Sequence, residues 1–260
     1  MAEETLWEGG TNLSFLNQEK AIITAMVQGD NPERIKFLMD KSANDGAEAF
    51  GMQFERMKPE FRNADVYKEL FNYAKDKPVY VTNYRMHQNE GKTDEILAQE
   101  LLELADYDTI LCDVMGDYFD KQSDELTTDN DAVKKQMKLI DNLHQKGAEV
   151  LMSSHILRFT PAEKVLEIAL EHQNRGADIC KIVTGAENMS EQIENLRIIN
   201  LLKENLKIPF LFLCGGESSI LRKTGGKFGC CMYLGVCEHD EFSTPAQPLI
   251  KNIKAIRENL

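Results

Sequence analysis

Glu149-Val150-Leu151-Met152-Ser153-Ser154-His155, followed by Thr160-Pro161-Ala162-Glu163 and then by Ala177-Asp178-Ile179-Cys180-Lys181-Ile182-Val183, is the stretch that decides the fold. Two short apolar runs flank a segment of helical period. The Thr160 tetrad reads as a capping box with Pro at the first turn, so a helix is expected to start there. Strand, helix, strand is a unit that needs a parallel sheet and a crossover helix.

Working outward, the same alternation continues in both directions. Apolar runs at Ala21–Val27, Ala47–Glu55, Val79–Tyr84 and Thr109–Val114 precede the quoted pair, and Pro209–Cys214 and Gly229–Val236 follow it. Asn31-Pro32 starts the first helix; Thr93–Ala105 and Asp129–Gln145 read as two later ones, and Thr244-Pro245-Ala246-Gln247 is expected to open the last. About eight such units closing on themselves make a single (β/α)8 barrel of this length. An open doubly wound sheet is the alternative, but the first junction, Gln28-Gly29-Asp30-Asn31-Pro32, lacks its glycine fingerprint. Thr5–Ser14, with Gly9-Gly10 in the middle, is expected to form a hairpin closing the barrel floor.

The 260 residues are 42% hydrophobic and carry a net charge of −13. Such a surface repels phosphate backbones and anionic lipid, which argues against nucleic acid and membrane as partners. No secretion signal or membrane anchor is read in the sequence, and the six cysteines form no C-x-x-C pair, so a reducing, cytoplasmic setting is expected. A small anionic substrate remains compatible, provided the cations gather in one pocket.

In a β/α barrel the chemistry lies at the C-terminal ends of the strands. Asn83-Tyr84-Arg85 with Glu90, Asp113, His155, Lys181, Arg222, Ser243 and Gln247 follow or end the apolar runs. Lys181 sits inside one. A lone ammonium there is costly, and burial favours the free amine, which can attack a carbonyl to form an imine. The alternative is a lysine that snorkels to the rim or pairs with a buried acid. His155, on the next strand, is placed to move protons beside the imine. Arg85 and Arg222 are candidates to grip a carboxylate, Ser243 and Gln247 to make polar contacts, and Glu90 to orient His155. The remaining histidines show no metal-ligand spacing, so no metal is expected.

These residues carry a family resemblance. Ser153-Ser154-His155, Thr160-Pro161 five residues beyond the histidine, and Gly176-Ala177-Asp178-Ile179-Cys180-Lys181-Ile182 resemble the type I 3-dehydroquinate dehydratases. Thr82-Asn83-Tyr84-Arg85 with Glu90-Gly91 resembles that family's T-x-R…E-G motif; Arg222 to Gly229 and Ser243-Thr244-Pro245-Ala246-Gln247 resemble its S-R…F-G and S-A-P-G-Q segments. The resemblance implies a cofactor-free, metal-free homodimer that eliminates water from 3-dehydroquinate. In it, Lys181 forms the imine, His155 transfers the proton, Glu90 orients His155, and Arg222, Ser243 and Gln247 hold the carboxylate. The second strand departs from the family: Gly51 and Gln53 stand where it has Glu and Arg at the substrate's hydroxyl end, and Leu111 and Asp113 stand where it tends to have Asp and Glu. A close 3-oxo cyclic carboxylate is therefore a second substrate candidate, with Gln53 lining its subsite. Another lysine-imine lyase of the class I aldolase type, or a non-catalytic barrel sensing a shikimate-pathway acid, are the rival readings.

Overall fold

The computed structural model describes residues 14–260 except 17, 75 and 108; the expected hairpin over Thr5–Ser14 falls, but for Ser14, outside them. Eight strands and eight principal helices alternate: β1 (Ile22–Val27), α1 (Pro32–Asp45), β2 (Ala49–Gln53), α2 (Ala64–Ala74), β3 (Val79–Thr82), α3 (Asp94–Leu104), β4 (Leu111–Met115), α4 (Asn130–Gln145), β5 (Glu149–His155), α5 (Ala162–Asn174), β6 (Ile179–Thr184), α6 (Met189–Asn205), β7 (Phe210–Cys214), α7 (Leu221–Phe228), β8 (Met232–Gly235) and α8 (Ile250–Asn259). The strands lie in the order β7-β6-β5-β4-β3-β2-β1-β8, with every pair parallel. Between the end strands, the Cys231 N–H donates to the Phe210 carbonyl at 2.9 Å, which draws the sheet into a nearly closed barrel. The expected barrel is the observed fold.

Strand periodicity explains how the interior is filled. Successive residues alternate between faces. Ile22, Tyr80, Leu111, Leu151, Ile179 and Leu211 are buried together in one apolar cluster. Two residues further toward the C-terminal ends, the same faces present Asp113, Ser153 and Lys181, and two further still, His155 and Val183. The β5–β6 register sets Ser153 beside Lys181 and His155 beside Val183. The sequence thus stacks apolar floor, ionic layer and mouth by parity alone.

Several boundaries differ from the sequence reading. The second strand ends at Gln53 because Phe54–Arg56 turn into a short 3-10 segment, which swings Arg56 toward the barrel mouth. The eighth strand starts at Met232, since Gly229 caps α7 at φ 121°. Asn31 caps α1 as expected, its side chain accepting from the Arg34 N–H at 2.9 Å. Thr160 does not cap α5: the cap residue is Pro161, and the Thr160 hydroxyl donates to the Arg158 carbonyl at 3.2 Å. The last helix begins at Ile250, not at Thr244. Pro248 bars a helical conformation at Gln247, and the Gln247 N–H instead closes a turn onto Thr244 at 3.0 Å. Leu249 then bridges to Val236 beside the barrel before the helix starts. Among the described residues, no helix is long and apolar enough to cross a membrane.

Gly51 is a close-packing position on β2. A Cβ there would run into the Met26 thioether and come within 3.1 Å of the Tyr80 ring. Gly51→Ala is therefore expected to cost about 1–3 kcal/mol by overpacking, read from urea midpoints. That cost should shrink in a Met26→Ala background, because the two sites share one space. An equal cost in both backgrounds would show that Met26 is not the obstruction.

Candidate active site

The strands open onto a cavity of about 330 Å³ at their C-terminal ends, lined by Met26, Gln53, Arg56, Tyr84, Arg85, Glu125, His155, Lys181, Arg222, Thr244 and Gln247 among others. A larger depression of about 750 Å³ involves residues of α6, α7 and α8 on the outside of the barrel.

Lys181 is buried at 4% exposure on the cavity floor. It is not a lone amine. Its Nζ donates to Tyr84 Oη at 2.7 Å, Tyr80 Oη at 3.0 Å and Asp113 Oδ2 at 3.1 Å. The pairing with a buried acid, the alternative weighed from sequence, is what the structure shows. Asp113 is fully buried and surrounded by donors: Tyr80, Tyr84 and Lys181 on Oδ2, and Ser153 on Oδ1 at 2.5 Å. Burial alone would lift its carboxyl, but the Lys181 charge, aided by these donors, holds it below the usual aspartate range. The phenols of Tyr80 and Tyr84 are pushed well above their ordinary values by burial and by the neighbouring Asp113 charge.

His155 ends β5 above this layer, half-buried. Its Nδ1 meets Glu125 Oε2 at 2.8 Å, and the same oxygen accepts the His155 backbone N–H at 2.7 Å. The imidazole edge packs on the Tyr84 ring, with centroids 5.2 Å apart and planes at 79°. The acid at His155 is thus Glu125, not Glu90. Glu90 is exposed at the end of the His87–Asn89 turn, which lengthens that loop and carries the carboxyl outward. Glu125 comes from the connection between β4 and α4, with backbone φ 45°. A non-glycine residue in that region is strained and persists only when its surroundings fix it. Here the Glu125 carbonyl accepts from Ser154 Oγ at 2.7 Å, passing over Gly116, where a side chain would block it. Buried Arg175 ties down the same loop through the carbonyls of Gly116 at 3.1 Å and Thr127 at 2.7 Å. Burial raises the Glu125 carboxyl, but its bonds to His155 win and lower it.

The arginines divide into two kinds. Arg85 lines the cavity, yet Asp94 grips it with two bonds of 2.6 and 2.7 Å and Asp117 adds another at 2.7 Å. Although burial works against it, these carboxylates raise its guanidinium further, so the expected carboxylate grip is already occupied. Arg222 is different. It is 7% exposed, its Nε donates to the Cys214 carbonyl at 2.9 Å, and no carboxylate among the described residues pairs with it. Arg56, which the sequence reading passed over, also lacks a salt bridge among the described residues; its Nε reaches Gln53 Oε1 at 3.2 Å. Burial lowers both guanidiniums.

Gln247 lines the cavity with a buried Oε1 that has no partner in the described structure. Gln53 accepts from Gln28, whose amide also contacts Thr244 Oγ1 at 3.2 Å. Ser243 does not reach the cavity: its hydroxyl is held in a turn with Asp240, donating to the Asp240 carbonyl at 3.0 Å and accepting its N–H at 2.9 Å. Thr244 stands in the lining instead. Among the described residues no three His, Cys, Asp or Glu side chains gather as a metal site.

Asp113→Asn would leave Lys181 buried without its counter-charge, and is expected to destabilise the chain by about 3–5 kcal/mol at neutral pH. Because the folded carboxyl is lowered, the stability that ionised Asp113 contributes is complete above the unfolded value near pH 3.9 and fades as pH falls through the lower folded one. The gap between wild type and Asp113→Asn in urea melts should therefore narrow only in acid. A gap that already closes between pH 7 and pH 5 would contradict the pairing.

The chain is similar to several known proteins. The 3-dehydroquinate dehydratase of Alkaliphilus oremlandii is 30% identical over 138 residues, 51% of this chain and 51% of its own. The bifunctional 3-dehydroquinate dehydratase/shikimate dehydrogenase of Arabidopsis thaliana is 23% identical over 90% of this chain and 36% of its own. These stretches span about half or less of those relatives' lengths. The crystal structure of 3-dehydroquinate dehydratase from Geobacillus kaustophilus superposes with TM-score 0.80 at 16% identity, covering 93% of this chain and 91% of that one. That of the Clostridium difficile type I enzyme, with covalently modified comenic acid, gives 0.76 at 18% identity, covering 93% of each. The family model described as Type I 3-dehydroquinase matches residues 23–259, and with its eight parallel strands the chain belongs to that family.

Proposed function

We propose that this protein is a lysine-imine carbon–oxygen lyase that dehydrates 3-dehydroquinate or a close 3-oxo cyclic carboxylate. The observation that carries the reading is Lys181 Nζ at the floor of a cavity whose wall holds His155, Arg222 and Gln247. An anionic substrate would set its carboxylate against Arg222, the buried guanidinium without a carboxylate of its own, and against the side-chain NH2 of Gln247 in the cavity wall. Its ketone then lies over Lys181. Attack by the amine and loss of water give a protonated imine, which draws electrons and acidifies the neighbouring C–H. His155, fixed by Glu125 through Nδ1, presents Nε2 to take that proton and return it to the departing hydroxyl. Gln53, Gln28, Thr244 and Arg56 would meet the hydroxyl end of the ring. The reading carries the family's homodimer and a cytoplasmic setting with it; six free cysteines fit the latter.

Incubation with 3-dehydroquinate and borohydride should give a stable adduct on Lys181 by intact mass, and without borohydride a rising enone absorbance. An adduct without product favours the sensor or another substrate. Absence of an adduct with any small keto acid removes imine chemistry altogether. His155→Ala should still form the imine and eliminate water at least about a hundredfold more slowly; an unchanged rate takes His155 out of the mechanism. Arg222→Met should lower kcat/KM by about ten- to a hundredfold through the lost charged hydrogen bonds.

A further inference from the structure

Resting on the lysine-imine reading, we propose that Tyr84 is a second catalytic residue, a phenol that shuttles protons between Lys181 and Asp113 and protonates the oxygen that leaves as water when the imine forms.

The hydrogen bonds already run in the order a relay needs. Lys181 Nζ donates to Tyr84 Oη at 2.7 Å, and Tyr84 Oη donates in turn to Asp113 Oδ2. Asp113 itself is fully buried and does not line the cavity. A substrate oxygen held there has no direct path to it. Tyr80 makes the same two bonds, to Lys181 at 3.0 Å and to Asp113, but it is also fully buried and absent from the lining. Tyr84 is the phenol that touches Lys181 and also faces the cavity. His155 packs against the Tyr84 ring with its Nδ1 engaged by Glu125. The two proton carriers are thereby divided: His155 serves the carbon beside the imine, and Tyr84 serves the imine carbon's oxygen.

The steps balance. The Lys181 ammonium passes one proton to Tyr84 as the Tyr84 proton passes to Asp113, leaving a neutral amine. The nitrogen lone pair forms the C–N bond, the carbonyl π pair moves to oxygen, and that oxygen takes a proton from Tyr84, refilled from Asp113. The new C–N ammonium then returns one proton through Tyr84 to Asp113, and the relay hands it to the carbinol hydroxyl. Water leaves as the nitrogen lone pair closes the C=N bond. Ammonium and ketone have become a protonated imine and water, and phenol and carboxylate are restored. Tyr84 stays a phenol at rest, because burial pushes its ionisation far up. Asp113 becomes the better base once the Lys181 charge that holds it down has gone, since burial then dominates.

The test is rapid-quench trapping with 3-dehydroquinate and cyanoborohydride, following the Lys181 adduct by intact mass in wild type, Tyr84→Phe, Tyr80→Phe and His155→Ala. Tyr84→Phe should form the adduct at least about a hundredfold more slowly, the scale of a lost proton carrier. Tyr80→Phe should stay near the wild-type trapping rate, and His155→Ala should still give the adduct while eliminating water slowly. In the wild type, trapping should slow in D2O, a readout that needs no variant to fold. The relay is overturned by a Tyr84→Phe protein that traps at the wild-type rate, by equal slowing in both phenylalanine variants, or by the lack of a solvent isotope effect. A wild type that forms no adduct overturns the imine reading as well; trapping by wild type with unslowed Tyr84→Phe overturns the relay alone.

Discussion

The ion pair between Lys181 and Asp113 is the interaction around which the site is organised. It joins β6 to β4 across the barrel interior, and its hydrogen bonds draw in Tyr80 from β3, Ser153 from β5 and Tyr84 from just beyond β3. A buried pair of this kind does not outdo a well-packed apolar layer in stability, because desolvating two charges cancels much of their attraction. The layers beneath it show what this sequence does where stability alone matters: they are leucine, isoleucine and tyrosine ring. Polar atoms appear one layer up, where the cavity begins. The four donors on Asp113 match the acceptor capacity of a carboxylate, so the layer is fixed in one arrangement and presents the amine at a set position.

Rigidity of a second kind comes from the loop between β4 and α4. Glu125 holds a left-handed backbone conformation, a cost repaid locally by Ser154, His155 and the Arg175 clamp. The acid at the imidazole therefore comes from the loop after β4 and not, as expected from sequence, from Glu90 in the loop after β3. Both loops rise from the same barrel mouth, and a carboxylate from either can reach the end of β5.

This explains which parts were legible in the sequence. Strand order and parity follow from local patterns, so the barrel and the inward direction of Lys181 and His155 could be read directly. A lysine in the middle of Ile179–Thr184 must be buried whichever face it takes. Its partner could not be read, because Asp113 lies on another strand and only the barrel's closure brings them together. Tyr80 and Tyr84 did carry a signal: a phenol in a dry strand needs a hydrogen-bond partner. Glu125 carried none, lying in an aperiodic loop whose course is set by Gly116 and Arg175. Glu90 and Ser243 were suggested by motif position, and the lengthened His87–Asn89 turn and the Asp240 turn moved both away. Pro248 was the clue that the last helix starts late.

Charge supplies the last constraint. The chain carries −13, yet its cavity presents two guanidiniums that no described carboxylate pairs with. Met26 and Tyr80 fill the space beside Gly51, so that position of β2 carries no acid. Arg85, by comparison, keeps its two aspartates and offers an anion little. Burial disfavours the charged form of Arg222 and Arg56, and no described carboxylate is salt-bridged to either, so an anion would find both open while Arg85 serves the scaffold. Beside Arg56 stand the neutral amides of Gln53 and Gln28. These can donate to an oxygen without first releasing a carboxylate of their own.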